Sequence, residues 1–94
     1  MTKVLVRNNS TEEVQVLDDS EFIDVALTQM SEAALSVKGC TQSEELLNGL
    51  AVVLELMQEV LAKNNINPIN VVTHATNLRN EFGSFSDKKA STKE

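Results

Sequence analysis

The sequence contains no tryptophan, no tyrosine and only three phenylalanines. Bases are scarce too: eight Lys and Arg stand against 14 Asp and Glu, a formal net charge of −6. Nucleic-acid recognition needs basic patches and aromatic platforms, so this composition argues against it. The single cysteine, Cys40, excludes an intramolecular disulfide framework and fits a reducing compartment. There is no Cys-x-x-Cys pair, no His-Glu-x-x-His zinc helix and no glycine-rich phosphate loop. No apolar run approaches the roughly 20 residues of a membrane span, and no signal-peptide core opens the chain. The expectation is a soluble cytoplasmic protein with no membrane partner.

What remains is aliphatic. Apolar residues make up 41% of the 94 positions, enough for one domain. A chain of this size buries roughly two-thirds of its unfolded surface, so a monomeric core is small. At the N-terminus, Val4 and Val6, then Val14 and Val16, recur at period two around the turn formers Arg7-Asn8-Asn9-Ser10-Thr11. This pattern predicts two short strands, about 3–7 and 13–17, either paired as a hairpin that must pack on something to persist or pairing with another chain.

Asp18-Asp19-Ser20 then offers an N-cap. Ile23, Ala26, Leu27, Met30, Ala33, Ala34 and Val37 recur at helical spacing, predicting a first helix over about 20–38 with Gly39 as its stop. Thr41-Gln42-Ser43-Glu44 has capping-box spacing and opens a second helix, about 42–64. Its apolar residues, from Leu46 and Leu47 through Leu50, Val53, Leu54 and Met57 to Leu61, cover most of the circumference. A helix apolar on nearly all sides calls for burial on nearly all sides, which one partner helix cannot provide. Oligomerisation, as dimer or tetramer, is the economical expectation. Asn67-Pro68 caps and starts a third helix, about 68–82, with Val71, Ala75, Leu78 and Phe82 on one face and Gly83 at its end. Residues 1–85 therefore read as one mainly α domain, an antiparallel helical bundle with a short N-terminal β element and a core completed by oligomerisation. Residues 86–94 read as a disordered tail.

Chemistry-bearing residues are few. His74 and Cys40 lack partners in sequence and read as ordinary residues. The carboxylates carry more. Glu32 lies in the C-terminal half of the first helix and Glu44 and Glu45 in the first turn of the second, and the short connection makes these helices antiparallel neighbours. Acids facing each other across such a pair can hold Mg²⁺. Their plainer role is capping, dipole stabilisation and solvation.

The ordered motifs resemble the MazG-like and phosphoribosyl-ATP pyrophosphohydrolase-like all-α nucleoside triphosphate pyrophosphatases, in particular their short single-domain house-cleaning branch. Leu5-Val6-Arg7-Asn8 is similar to that branch's opening Leu-Val-Arg-Asp. Val16-Leu17-Asp18-Asp19 with Glu21-Phe22 resembles its lead-in to the first helix. Glu44-Glu45-Leu46-Leu47-Asn48-Gly49-Leu50 resembles its second-helix signature, and Glu81-Phe82-Gly83-Ser84-Phe85 its closing Glu-Arg-Gly-Gly-Phe. The resemblance implies a bundle built from two or more chains. It also implies acidic residues on the first two helices that bind Mg²⁺, and water attack between the α and β phosphates to release pyrophosphate.

The chain departs from that pattern at the acids. Glu32 matches the first, but Ala33 and Ser36 stand where the next two would be; Glu45 matches the second-helix glutamate, but Asn48 replaces its aspartate. Glu32 is the only acid between Asp24 and Glu44, whatever the alignment. The metal-ligand candidates are thus Glu32, Glu45 and Asn48, with Glu44 and Ser36 weaker, and the lost charge weakens a Mg²⁺ site sharply. Phe82 replaces the closing arginine, leaving Arg7 and Arg79 as ligand-binding candidates. The leading expectation is a non-catalytic, oligomeric nucleotide-binding or interaction protein. Alternatives are a weak Mg²⁺-dependent pyrophosphohydrolase using Glu32, Glu44, Glu45 and Asn48, and a purely structural helical assembly.

Overall fold

A computed structural model describes residues 3–92. It is all-helical, with α1 (Asp19–Ser36), α2 (Ser43–Lys63) and α3 (Pro68–Phe82) in chain order. Each helix lies within two residues of the span expected for it.

The caps explain the differences. Asp18, in extended conformation, accepts the Glu21 N–H through Oδ1 at 2.8 Å and starts α1. α1 stops at Ser36, earlier than glycine punctuation suggests: Val37 turns its N–H back to Ala34 O, and Gly39, at φ 78°, then reverses the chain. The capping box expected at Thr41 does not form. Gln42 occupies the N-cap of α2 and makes no side-chain capping bond, so Thr41 lies one residue too early. α2 ends in a Schellman arrangement, with Ile66 N–H donating to Leu61 O and Asn65 N–H to Ala62 O. Asn65 takes the left-handed position, φ 55°. Asn67 then caps α3 by accepting the Ile69 N–H at 3.0 Å, with Pro68 in the first turn.

α1 and α2 pack along their length as an antiparallel hairpin. Val37 meets Gly49 at one end, and at the other the Lys63 ammonium sits 5.8 Å from the centroid of the Phe22 ring. Ala26 is the one fully buried apolar residue described. Gly49, Val53, Leu56 and Val60 form the half-buried seam of α2, while no residue of that helix is buried. Leu47, Leu50 and Leu54 remain 67%, 49% and 53% exposed, so the nearly all-round apolar surface is not covered within the chain.

The two expected strands are corrected. No strand forms among the described residues. Residues 3–7 form neither helix nor strand and are held by helix side chains instead of a second strand: Lys3 pairs with Glu21, Leu5 N–H donates to Gln29 Oε1 at 2.8 Å, and Arg7 reaches Glu55. With the Leu5 N–H bound to a side chain and Val16 92% exposed, the valine alternation marks the outer side, while Leu5 and Leu17 are half-buried. The predicted turn is present, closed by Ser10 N–H to Arg7 O at 3.0 Å.

α3 barely touches either helix of the hairpin. The radius of gyration is 16.2 Å, against about 12 Å expected of a compact chain of this length. Beyond Gly83 the described residues form no helix or strand; positions 93 and 94 of the expected tail lie outside the described residues.

Candidate functional site

The helix-hairpin register decides what the candidate acids can do. Val37 opposite Gly49 and Phe22 opposite Lys63 set residue pairs whose numbers sum to about 86 at the same level. Glu32 therefore lies level with Leu54, and Glu45 level with the interhelical turn near Thr41. At 1.5 Å per residue the two acids are offset by about 13 Å along the axis. Ser36 and Asn48, two of the three neutral replacements, lie within about 3 Å of each other in level. Ser36 Oγ is already donating to Ala33 O at 2.7 Å. Glu32, Ser36, Glu44, Glu45 and Asn48 are all exposed. Among the described residues, no group of three or more His, Cys, Asp and Glu comes together to hold a metal ion. Glu32 and Glu45 are thus separated along the hairpin, and Ala33, Ser36 and Asn48 are neutral.

A different pair organises this flank. Arg7 and Glu55 form a bidentate bridge, NH1 to Oε2 and NH2 to Oε1, both at 2.8 Å. The hydrogen bonds to Glu55, and then its charge, raise the Arg7 pKa above its ordinary value; reciprocally, the guanidinium holds the Glu55 carboxyl below the usual carboxylate range. Both groups are exposed, so the bridge fixes position more than it stabilises. It ties the N-terminal strap to the middle of α2, on the flank that carries Glu45 and Asn48. Arg7, a candidate for ligand binding, is thus engaged by a residue of its own chain.

Sequence reasoning overlooked Glu55 and Gln29. Glu55 follows Asn48 by seven residues, two helical turns along the same flank, and is the only charged residue of α2 between Glu45 and Glu59. That spacing was the available signal. Gln29, a polar residue on the half-buried side of α1, left no comparable mark.

Two open grooves line α3, away from the acids. One, of about 440 Å³, runs between Ile66, Val71, His74 and Leu78; the other, of about 550 Å³, is bounded by Leu78, Arg79, Phe82 and Phe85. Arg79 has no ion-pair partner among the described residues. His74 lines the first groove, and Cys40 donates its thiol hydrogen to Gln42 O at 3.3 Å in the interhelical turn.

Comparison of the chain with models of known families, with curated proteins and with solved structures finds no match. Among the described residues, no helix is long and apolar enough to cross a membrane.

Proposed function

We propose that the chain is a degenerate relative of the MazG-like nucleoside triphosphate pyrophosphatases that has kept a helical scaffold and works as an oligomeric, non-catalytic interaction protein. The ordered motifs from Leu5 to Phe85 support the kinship. Ala33, Ser36 and Asn48, at positions where the family has acids, support the loss of catalysis, since a hard cation needs clustered carboxylates to neutralise a triphosphate.

The observation that carries the interaction reading is surface. The chain exposes 8320 Å², whereas a compact monomer of its mass exposes about 5,400 Å². The excess of roughly 3,000 Å² exceeds what one partner contributes to an obligate interface, about 1,000–2,500 Å². Much of it is aliphatic, on all three helices. A cytoplasmic protein with this surface persists by covering it.

The test pairs two measurements. Light scattering is expected to give a dimer or tetramer; a stable, folded 10.3 kDa monomer overturns the oligomeric reading. A screen of canonical and modified nucleoside triphosphates with Mg²⁺ or Mn²⁺ is expected to release no pyrophosphate above a Glu45→Ala control. Turnover above that control restores the enzyme. A rise in melting temperature with a nucleotide, by preferential binding to the folded state, would move the reading from interaction to nucleotide binding.

A further inference from the structure

We infer that α3 is an exchanged arm, docking on the exposed leucine flank of α2 in a second copy of this chain while receiving that copy's α3 in return. This rests on the oligomeric reading above and adds which surfaces meet.

Start with what α3 lacks. A helix of 15 residues is marginal in water on its own, and most helical stability comes from packing of an apolar face. α3 has such a face, Val71, Ala75, Leu78 and Phe82, and it borders both grooves. Phe82 is nevertheless 76% exposed, and the helix barely touches its own hairpin. The turn before it is closed by the Schellman bonds to Leu61 and Ala62 and by the Asn67 cap, which fixes the direction in which α3 leaves. Folding back onto its own α2 would sacrifice those bonds.

The receiving surface lies on α2. At 100° per residue, Leu46, Leu47, Leu50 and Leu54 form one stripe, on the flank of the α1 seam opposite the Arg7–Glu55 bridge. The stripe is about 12 Å long, and the Val71–Phe82 face about 16 Å. These lengths suit a helix laid along a helix.

Charge selects between ways of using that stripe. Residues 18–63 carry nine acids against two bases, net −7. Pairing hairpin with hairpin sets two such surfaces together. Residues 64–92 carry three bases, Arg79, Lys88 and Lys89, against two acids, net +1. Laying the arm on the hairpin matches an acidic surface with a mildly basic segment, the complementary arrangement. Reciprocal exchange closes a two-fold dimer and leaves no unsatisfied copy of either surface. It also covers the α3 face and the leucine stripe at once, drawing on the same surface excess.

The decisive experiment uses the full chain. Equal amounts of ¹³C-labelled and unlabelled protein are unfolded together, refolded and examined by isotope-filtered NOE spectroscopy, which reports only contacts between chains. Contacts from the Phe82 ring to the methyls of Leu46, Leu50 or Leu54 are expected. An oligomer whose interchain contacts join only hairpin to hairpin overturns the exchange and leaves the oligomeric reading standing. A monomer overturns both. In parallel, Leu78→Asp should raise the dimer dissociation constant on the order of 100-fold, as removal of a buried anchor does. Val16→Asp, at an almost fully exposed position ahead of α1, should leave it unchanged. Equal effects from the two variants refute docking through α3.

Discussion

Gly49→Ala tests the α1–α2 register directly. In an open helix this substitution stabilises, because alanine is about 0.8–1.0 kcal/mol better than glycine in helix interiors. Here an added Cβ would lie 2.3 Å from Val37 Cγ1, with Val37 Cβ at 3.4 Å and Cγ2 at 3.5 Å. Carbon atoms in contact prefer about 3.5–4.0 Å, so the overlap exceeds 1 Å. Val37 gives way poorly, since its β-branched side chain has few χ1 choices and an off-rotamer position costs about 0.5–1.5 kcal/mol. Overpacking costs typically 1–3 kcal/mol; set against the propensity gain, the net effect is a loss of about 1 kcal/mol. The background decides the cause. In Val37→Ala both methyls are gone, the nearest remaining Val37 atom is the Cβ at 3.4 Å, and Gly49→Ala should stabilise by about 1 kcal/mol. The pair would thus couple by about 2 kcal/mol. Urea denaturation followed by far-UV circular dichroism, at one fixed protein concentration, measures all four members of the cycle. Stabilisation by Gly49→Ala in the unaltered background refutes the close approach, and with it the levels assigned to Glu32 and Glu45.

The caps and the strap supply further tests. Asp18→Ala should destabilise by about 1 kcal/mol in the same assay by orphaning the Glu21 N–H. Gln42→Asp should stabilise by about 0.5–1 kcal/mol, because the N-cap of α2 has no side-chain acceptor in use. For the strap, Arg7 keeps the Glu55 pKa below its unfolded value, so its contribution is full above pH of about 4.3 and fades as pH falls through the folded value. The melting temperature of the unaltered chain should therefore exceed that of Arg7→Gln near neutrality, and the gap should close as the solution is acidified below that pH. A gap that widens on acidification contradicts the pairing.

The helices were legible because their signals are local. Ile23 through Val37, Leu46 through Leu61 and Val71 through Phe82 repeat at helical spacing, and Asp18, Asn67 and Pro68 act within a turn of where they stand. The strand reading failed where the evidence was local but the outcome was tertiary. Val4 and Val6 alternate as a strand would, yet strand formation depends on what the backbone N–H groups meet. For Leu5 that is Gln29, 24 residues away, and for the Arg7 side chain Glu55, 48 residues away. Nothing in residues 3–17 encodes those partners. The box at Thr41 failed for a smaller reason: the interhelical turn, with the Cys40 N–H bonded to Val37 O, delivers the chain to α2 one residue late.

The candidate site was legible as chemistry but not as geometry. Counting acids established that α1 carries one where the resembled family needs three, and no structure alters a count. The sequence also predicts an antiparallel pair with Glu32 and Glu45 toward the same end. The register, however, comes from how Val37 seats against Gly49 and Lys63 over Phe22, contacts between residues 12 and 41 positions apart. Those contacts turn a shared end into an offset of about two and a half turns. The same register sets Glu32 near the level at which Arg7 meets Glu55. A flank with few acids costs less to hold against another surface, because fewer ionised groups must be desolvated or repelled. The neutral positions Ala33, Ser36 and Asn48 and the uncovered leucines of α2 therefore act in the same direction: both lower the cost of covering this hairpin with another surface.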